Sequence, residues 1–262
     1  MAEVCTIIGS GNSAWHFTRM LLNAGHEIAE IYIRNEEKDS DFSCFGEIHK
    51  VRILEDISQN SDLYFFCVLD DAITQLTQSF PFRLNERQIS IHTSGMAPAA
   101  VFEAFCTRFG CIWPLQTLKK GIVPIHEDFP LMLTASDPET NERLSELLAS
   151  FFQKSVPISD EQKSALHLAA VITGNFTNHM LTKGFDYCQA QHLDFTLLRS
   201  LIMETVEKSL QSKDPSLIQT GPASRHDIKT MERHMDLLGD HKMLQEIYRI
   251  LSESIMTKHP RK

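Results

Sequence analysis

Val4-Cys5-Thr6-Ile7-Ile8-Gly9-Ser10-Gly11-Asn12-Ser13-Ala14 decides the fold of this chain. A short apolar, β-branched run meets two glycines one residue apart and a small residue three further on, and an amphipathic run from Trp15 to Ala24 follows. The pattern predicts a strand, a tight turn and a helix. The first glycine permits the sharp turn, the second lets a pyrophosphate approach the backbone, and Ala14 stands where a third glycine would allow close helix–strand contact. Unpaired N–H groups at the helix start would then face the phosphates. Gly9, Ser10, Gly11, Asn12, Ser13 and Ala14 are the expected cofactor-binding turn; a turn with only a structural role is the competing reading.

With 262 residues and a hydrophobic fraction of 42%, the chain has material for one large domain or two modest ones. Thirty-four acidic against 25 basic side chains give a formal net charge of −9, which disfavours general affinity for nucleic acid or an anionic membrane. The chain enters its first strand without a basic region or cleavage site, so no secretory signal is expected. No run approaches ~18 apolar residues, so no membrane-spanning helix is expected either. Six cysteines are scattered without a C-x-x-C pair. They read as reduced, buried thiols of a cytoplasmic protein, not as a catalytic nucleophile or a metal site.

Gly25 is a left-handed helix stop, and Glu27 to Arg34 reads as the second strand, with Ile28, Ile31 and Ile33 on it. In nicotinamide-binding folds an acidic residue at this strand's end bonds the ribose hydroxyls, whereas an arginine accommodates the 2′-phosphate of NADP. Here the strand runs into Arg34-Asn35, while Glu30 lies mid-strand, pointing off the sheet. NADP is therefore favoured over NAD, with Arg34 and Asn35 in its site. The alternative for Arg34 is a solvated charge at a strand end.

Glu36 to Phe45 reads as a polar loop and Lys50 to Leu54 as a short third strand. The run Asp62 to Val68 is of fully buried type, and Asp70 and Asp71 read as caps of a helix starting near Ala72. Gln88 to His92 is the next strand, ending in His92-Thr93-Ser94-Gly95. At the carboxyl end of a strand, the Ser94 hydroxyl and the Gly95 N–H could orient a substrate, or the Ser-Gly pair could simply make a turn. Strands at Cys111 to Pro114 and Leu131 to Ala135 follow; Gln116 and Thr117 between them are substrate contacts if their turn faces the same cleft. A helix from Glu139 to Phe152 and a strand at Ser155 to Ile158 close the α/β half.

Ser159 followed by Gln162 fits a capping box. From there strand signals cease, and helices are expected near Glu161–Gln191, Thr196–Ser212, Ser224–Leu238 and Lys242–Lys258. The expected architecture is α/β: a Rossmann-like dinucleotide-binding domain over residues 1–158, then an all-helical domain over 159–262. At ~100° per residue the first of these helices places His167, Val171, Gly174, Asn175, Asn178 and Thr182 on one stripe. A cleft facing a nicotinamide would satisfy those polar groups; a helix–helix contact would also do so. In Thr220-Gly221-Pro222-Ala223-Ser224-Arg225-His226-Asp227, Ser224 is a good N-cap and Asp227 suits the helix dipole. Arg225, a cation near a helix start, would either pair with Asp227 or bind a substrate carboxylate.

On these residues the chain resembles, over nearly its full length, a family of NADP-dependent oxidoreductases that join a Rossmann-like domain to a helical domain of unknown function. The supporting motifs are the Gly9–Ala14 turn with Asn12, His92-Thr93-Ser94-Gly95, Pro114-Leu115-Gln116-Thr117, the His167 to Asn175 helix, and Thr220-Gly221-Pro222 with Arg225 and Asp227. It looks more distantly like pyrroline-5-carboxylate reductase, the 6-phosphogluconate and hydroxyisobutyrate dehydrogenases and the F420-dependent NADP oxidoreductases. In the hydroxyacid dehydrogenases a lysine and an asparagine one turn later carry the proton chemistry on the first interdomain helix. This chain has no Lys-x-x-x-Asn there; it presents His167 and Asn175 two turns apart. The resemblance also implies a homodimer formed through the helical domains.

The leading expectation is a cytoplasmic reductase or dehydrogenase that uses NADPH on a small carbonyl, hydroxyl or imine compound in the interdomain cleft. His167 would donate the proton, because imidazoles titrate near neutrality. Asn175 and Ser94 would hold the substrate heteroatom, with Gly95, Gln116 and Arg225 as further substrate contacts. The alternatives are an NADPH-binding sensor or scaffold without turnover, and an S-adenosylmethionine-dependent methyltransferase, against which Arg34 argues.

Overall fold

In the computed structural model, which describes residues 2–151 and 154–261, the opening stretch folds as a strand, β1 (Val4–Ile8), and a helix, α1 (Asn12–Asn23), joined by Gly9-Ser10-Gly11. Further strands follow: β2 (Glu27–Tyr32), β3 (His49–Val51), β4 (Leu63–Phe66), β5 (Ile89–His92), β6 (Phe109–Pro114), β7 (Leu131–Ala135) and β8 (Ser155–Pro157). Among the described residues they form one sheet in the order β3-β2-β1-β4-β5-β6-β7-β8. From β3 to β6 all neighbours pair in parallel, while β7 runs antiparallel to β6 and parallel to β8. This is a doubly wound α/β sheet with an added edge.

Parallel strands covered on both faces need apolar side chains in both directions. Leu63-Tyr64-Phe65-Phe66 meets that demand, every residue being buried. Phe65 joins the cluster with Phe17 and Leu21 of α1, whereas Tyr64 and Phe66 join the cluster of Phe102, Phe105 and Trp113 on the other face. Each fully buried side chain of this size contributes roughly 1.5–3 kcal/mol of transfer free energy.

The helices are α1, α2 (Asp70–Ser79), α3 (Pro138–Ser150), α4 (Asp160–Ala170), α5 (Phe176–Ala190), α6 (Arg199–Gln211), α7 (Ile228–Leu238) and α8 (Lys242–Lys258). The capping box is formed: Ser159 Oγ accepts from the Gln162 N–H while the Gln162 side chain accepts from the Ser159 N–H. A π turn, Val171–Asn175, follows α4. Its sequence Val-Ile-Thr-Gly-Asn gathers β-branched residues and a glycine, all weak helix formers, so the tighter α ladder gives way there. The described chain divides into two compact units, one ending at Asn175 and the other beginning at Phe176.

The structure departs from the sequence reading at several local points. Glu36–Phe45 is a 3-10 helix, not a loop: Asn35 Oδ1 accepts from the Glu37 N–H, and Phe42 anchors the segment in the core. Asp70 and Asp71 do not cap α2; Leu69 is the N-cap residue and both carboxylates lie in the first turn, where the helix dipole favours them. Helix α7 starts at Ile228, four residues later than the Ser224 reading, because His226 has a φ of 54° and interrupts the helical path. Asp227 is the cap, accepting from the Thr230 N–H and hydroxyl, while the Ser224 hydroxyl donates to the Gly221 carbonyl. Phe152, placed at the end of α3 by the sequence, lies outside the described residues.

Candidate active site

Strands β1, β4, β5 and β6 run in one direction, so Gly9, Cys67, Thr93 and Leu115, the residues just after them, emerge at the same carboxyl edge of the sheet. Ligands of open α/β sheets lie beyond this edge. Two cavities of the first unit are found here.

The larger, of about 710 Å³, is lined by the Gly9–Ser13 turn, Arg34, Asn35, Lys38 and residues of α2. Gly9 has a φ of +123°, and a Cβ there would stand 2.3 Å from the Cys67 carbonyl oxygen, so only glycine fits. A Cβ on Gly11 would meet nothing within 4 Å, which leaves the backbone open to the cavity. Gly11 is also the N-cap of α1; no side chain caps the helix and no acidic residue occupies its first turn. The free N–H groups and the positive end of the dipole of α1 are therefore at the cavity wall, an arrangement suited to an anion. Ala14 is fully buried beneath, as close helix–strand packing requires.

Arg34 and Lys38 are exposed at this cavity, and neither side chain is hydrogen-bonded or ion-paired among the described residues. Glu30, in contrast, is 4% exposed and committed to the fold, accepting from Thr6 Oγ1 at 3.2 Å and from the Ser58 N–H at 2.7 Å. It lies within β2 with its carboxylate taken up inside the fold, so it is unavailable to a ribose. Donors for a diphosphate and two unengaged cations for a further phosphate fit NADP. Lys38 gives no signal in the sequence, because its polar segment carries no apolar period. Asn35 lines the cavity, but its amide also caps the 3-10 helix.

The second cavity, of about 540 Å³, lies between the end of β6 and the π turn after α4. Trp113, Gln116, Thr117, His167, Thr173 and Asn175 bring its indole, hydroxyl, imidazole and amide groups. The His167 ring sits 5.5 Å from the Trp113 ring, centroid to centroid, at 49°. Gly95 makes this possible: a Cβ there would stand 2.3 Å from His167 Cδ2 and 2.9 Å from Trp113 Cε2. Gly95 thus seats the imidazole. Trp113 was legible in the sequence only as a strand residue, although it directly precedes Pro114-Leu115-Gln116-Thr117.

Ser94 Oγ accepts from the Met96 and Ala97 N–H groups at 3.0 and 2.8 Å, so its oxygen shapes the turn after β5. Gln116 faces the second cavity, but its amide accepts from the Thr117 N–H and donates to the His126 carbonyl. Of the stripe on the long helix, His167, Val171, Gly174 and Asn175 meet at this cavity. Asn178 and Thr182 fall in α5 of the second unit, where the Thr182 hydroxyl donates to the Asn178 carbonyl. Arg225 is exposed in the second unit and forms no ion pair among the described residues.

Beneath His167 lies a buried polar staple. Lys163 is fully buried and donates to the Ala97 carbonyl at 2.6 Å and to Asp160 Oδ1 at 2.9 Å. Asp160 in turn accepts from the Ala99 N–H, so the turn after β5 is fastened to the first turn of α4. Burial, then the Lys163 charge, pushes the His92 imidazole down to about 3, and it stays neutral, accepting from the Ser94 N–H. Burial pushes the Cys111 thiol up to about 12, so it is no thiolate nucleophile.

Similarity to known proteins follows the same lines. Residues 129–255 match a domain of unknown function, DUF2520. No curated protein matches the chain. Among solved structures, a "putative NADP oxidoreductase" from Bacteroides fragilis is 30% identical, with 97% of this chain and 98% of that one covered and a TM-score of 0.90. A protein from Thermotoga maritima is 20% identical over 95% of this chain and 98% of that one, with a TM-score of 0.69. An imine reductase from Myxococcus stipitatus, solved with NADP⁺, is 15% identical over 98% and 95%, with a TM-score of 0.68; at such identities the likeness is one of fold. From the full-length match to the Bacteroides protein and the DUF2520 region, the chain belongs to the family of Rossmann-type NADP oxidoreductases with a helical C-terminal part.

Proposed function

We propose that this protein transfers a hydride between NADP and a small carbonyl, hydroxyl or imine compound, with the reacting carbon held at the cavity beside Trp113 and His167. The observation that carries the reading is that the glycine turn with its two unengaged cations and the His167 cavity share one edge of the sheet. Gly11, Asn12 and Ser13 would hold the diphosphate, and Arg34 and Lys38 the 2′-phosphate. The nicotinamide, when bound, supplies or accepts the hydride. His167 exchanges the proton with the substrate heteroatom, which Asn175 orients by its amide. Trp113 excludes water from one side of the imidazole, and Gly95 holds that ring in place.

The chain is further proposed to act as a homodimer through its helical part, residues 159–262, in the cytoplasm. Leu197, Leu210 and Leu217 are each more than three-quarters exposed, and Phe176, Leu201, Met203 and Val206 are exposed as well, which supports an association surface on this part of the chain. All six cysteines are free. No helix among the described residues is long and apolar enough to cross a membrane.

Single-turnover kinetics on a panel of ketones, imines and alcohols tests the reaction. His167→Ala is expected to lower turnover of the best substrate by about 10²-fold or more while NADPH affinity stays within a few-fold. Turnover within a few-fold of wild type would remove His167 from the proton step.

A further inference from the structure

The connection between β6 and β7, residues 115–130, starts as a wall of the second cavity at Leu115 to Leu118 and then runs to the Ser10–Asn12 turn. Two residues on, Lys120 reaches the glycine turn. Its backbone N–H donates to Asn12 Oδ1 at 3.0 Å, and its Nζ donates to the Ser10 carbonyl at 3.2 Å and pairs with the Asp41 carboxylate. Asp41 belongs to the Glu36–Phe45 helix that follows Arg34. The hairpin is fastened on both sides of this contact. His16, on α1, bonds the Lys119 carbonyl at 3.1 Å, and Arg19 pairs with Glu127 at 2.8 Å. Gly121, at a φ of +78°, closes the turn between Lys119 and Ile122.

Resting on the NADP reading above, we propose that Lys120 is a positioning residue for the cofactor diphosphate. It joins three segments at one point: the Ser10–Asn12 turn, the phosphate-selecting segment after β2, and the connection that walls the His167 cavity. The physical case lies in the turn's own chemistry. A diphosphate approaching the free N–H groups of α1 also approaches the Ser10 carbonyl, whose partial negative charge opposes it. An ammonium on that oxygen cancels the opposition and fixes the peptide plane. The bond to Asn12 holds its side chain aside, so the Asn12 N–H stays open to the anion. Because the Lys120–Asp41 pair is only partly exposed, at 20% and 30% for the two side chains, solvent does not screen it fully.

The test is nucleotide affinity, read by quenching of Trp15 and Trp113 fluorescence, on wild type and Lys120→Met, which keeps the aliphatic stem and removes the ammonium. The diphosphate is common to both dinucleotides, so the expected result is a loss of about tenfold in affinity for NADPH and NADH alike, with Lys120→Arg recovering most of it. Arg34→Ala, by comparison, should weaken NADPH alone. Unchanged affinity in Lys120→Met, even with a lowered Tm, overturns the proposal and leaves Lys120 a purely structural tie. A loss confined to NADPH overturns it too, moving Lys120 to the 2′-phosphate. If wild type binds neither nucleotide, the cofactor reading itself fails and the proposal falls with it. Should Lys120→Met not fold, Lys120→Gln, which keeps a donor for the Ser10 carbonyl without the charge, carries the same comparison.

Discussion

At the scale of single residues, the site depends on what glycine leaves out. Gly95 is wedged against two rings, and a methyl group added there would overlap both. Gly95→Ala is expected to displace the His167 imidazole, destabilising the protein by about 1–3 kcal/mol and lowering turnover at least about tenfold. Urea unfolding and steady-state kinetics measure the two effects; a variant with native turnover would show that the His167 position is unimportant. This role was not legible in the sequence. His92-Thr93-Ser94-Gly95 reads as a strand-end turn with an available hydroxyl and N–H, and nothing local reveals that α4, some seventy residues later, packs on the glycine. Gly9 and Gly11 were legible because strand, turn and helix follow one another within a single local pattern.

At the scale of elements, α4 brings His167, the proposed proton donor, to the second cavity, and its fixing point is Lys163. The capping box at Ser159 and Gln162 could be read from spacing alone, and the structure forms it as read. The next residue, Lys163, gave no signal, since a lysine in the first turn of a helix is ordinarily solvated. Here it is fully buried because the Ala97 carbonyl and Asp160 supply its partners. Lys163→Met removes the ammonium and leaves Asp160 and a carbonyl short of a donor. The expected cost is about 2–4 kcal/mol in denaturant unfolding, accompanied by loss of turnover as the Ser94–Ala99 turn loosens under His167. A cost below about 0.5 kcal/mol would mean the staple adds nothing. The π turn at Val171–Asn175 was likewise hidden: the sequence reads as one helix, and only the run of weak helix formers hints at a local change of phase.

At the scale of the whole molecule, burial sets the response to acid. His16, His26 and His92 all have their imidazoles pushed down, with burial the first cause, and His92 falls to about 3. His26 accepts the Glu3 N–H on Nδ1, and His92 accepts the Ser94 N–H, so protonating either breaks a bond. Unfolded, each would take up a proton near about pH 6.5. Between there and the lower folded values the unfolded chain holds more protons, so stability rises with pH and is lost as pH falls. Each histidine contributes up to about 1.4 kcal/mol per pH unit within its own window. Unfolding midpoints measured from about pH 7 down to about pH 4.5 should fall steadily, and His92→Gln should flatten the slope by one proton's share. Constant or rising stability over that range would contradict a neutral His92.

Central to the proposed function is that the larger cavity, lined by Arg34 and Lys38 beside the glycine turn, selects NADP through those two cations. The most direct measurement is a parallel titration of NADPH and NADH on wild type and on the double variant Arg34→Ala, Lys38→Ala. The account predicts that wild type prefers NADPH by at least about tenfold and that the double variant loses this preference while retaining its affinity for NADH. Binding of neither nucleotide, or a preference for NADPH that survives the loss of both cations, would contradict it.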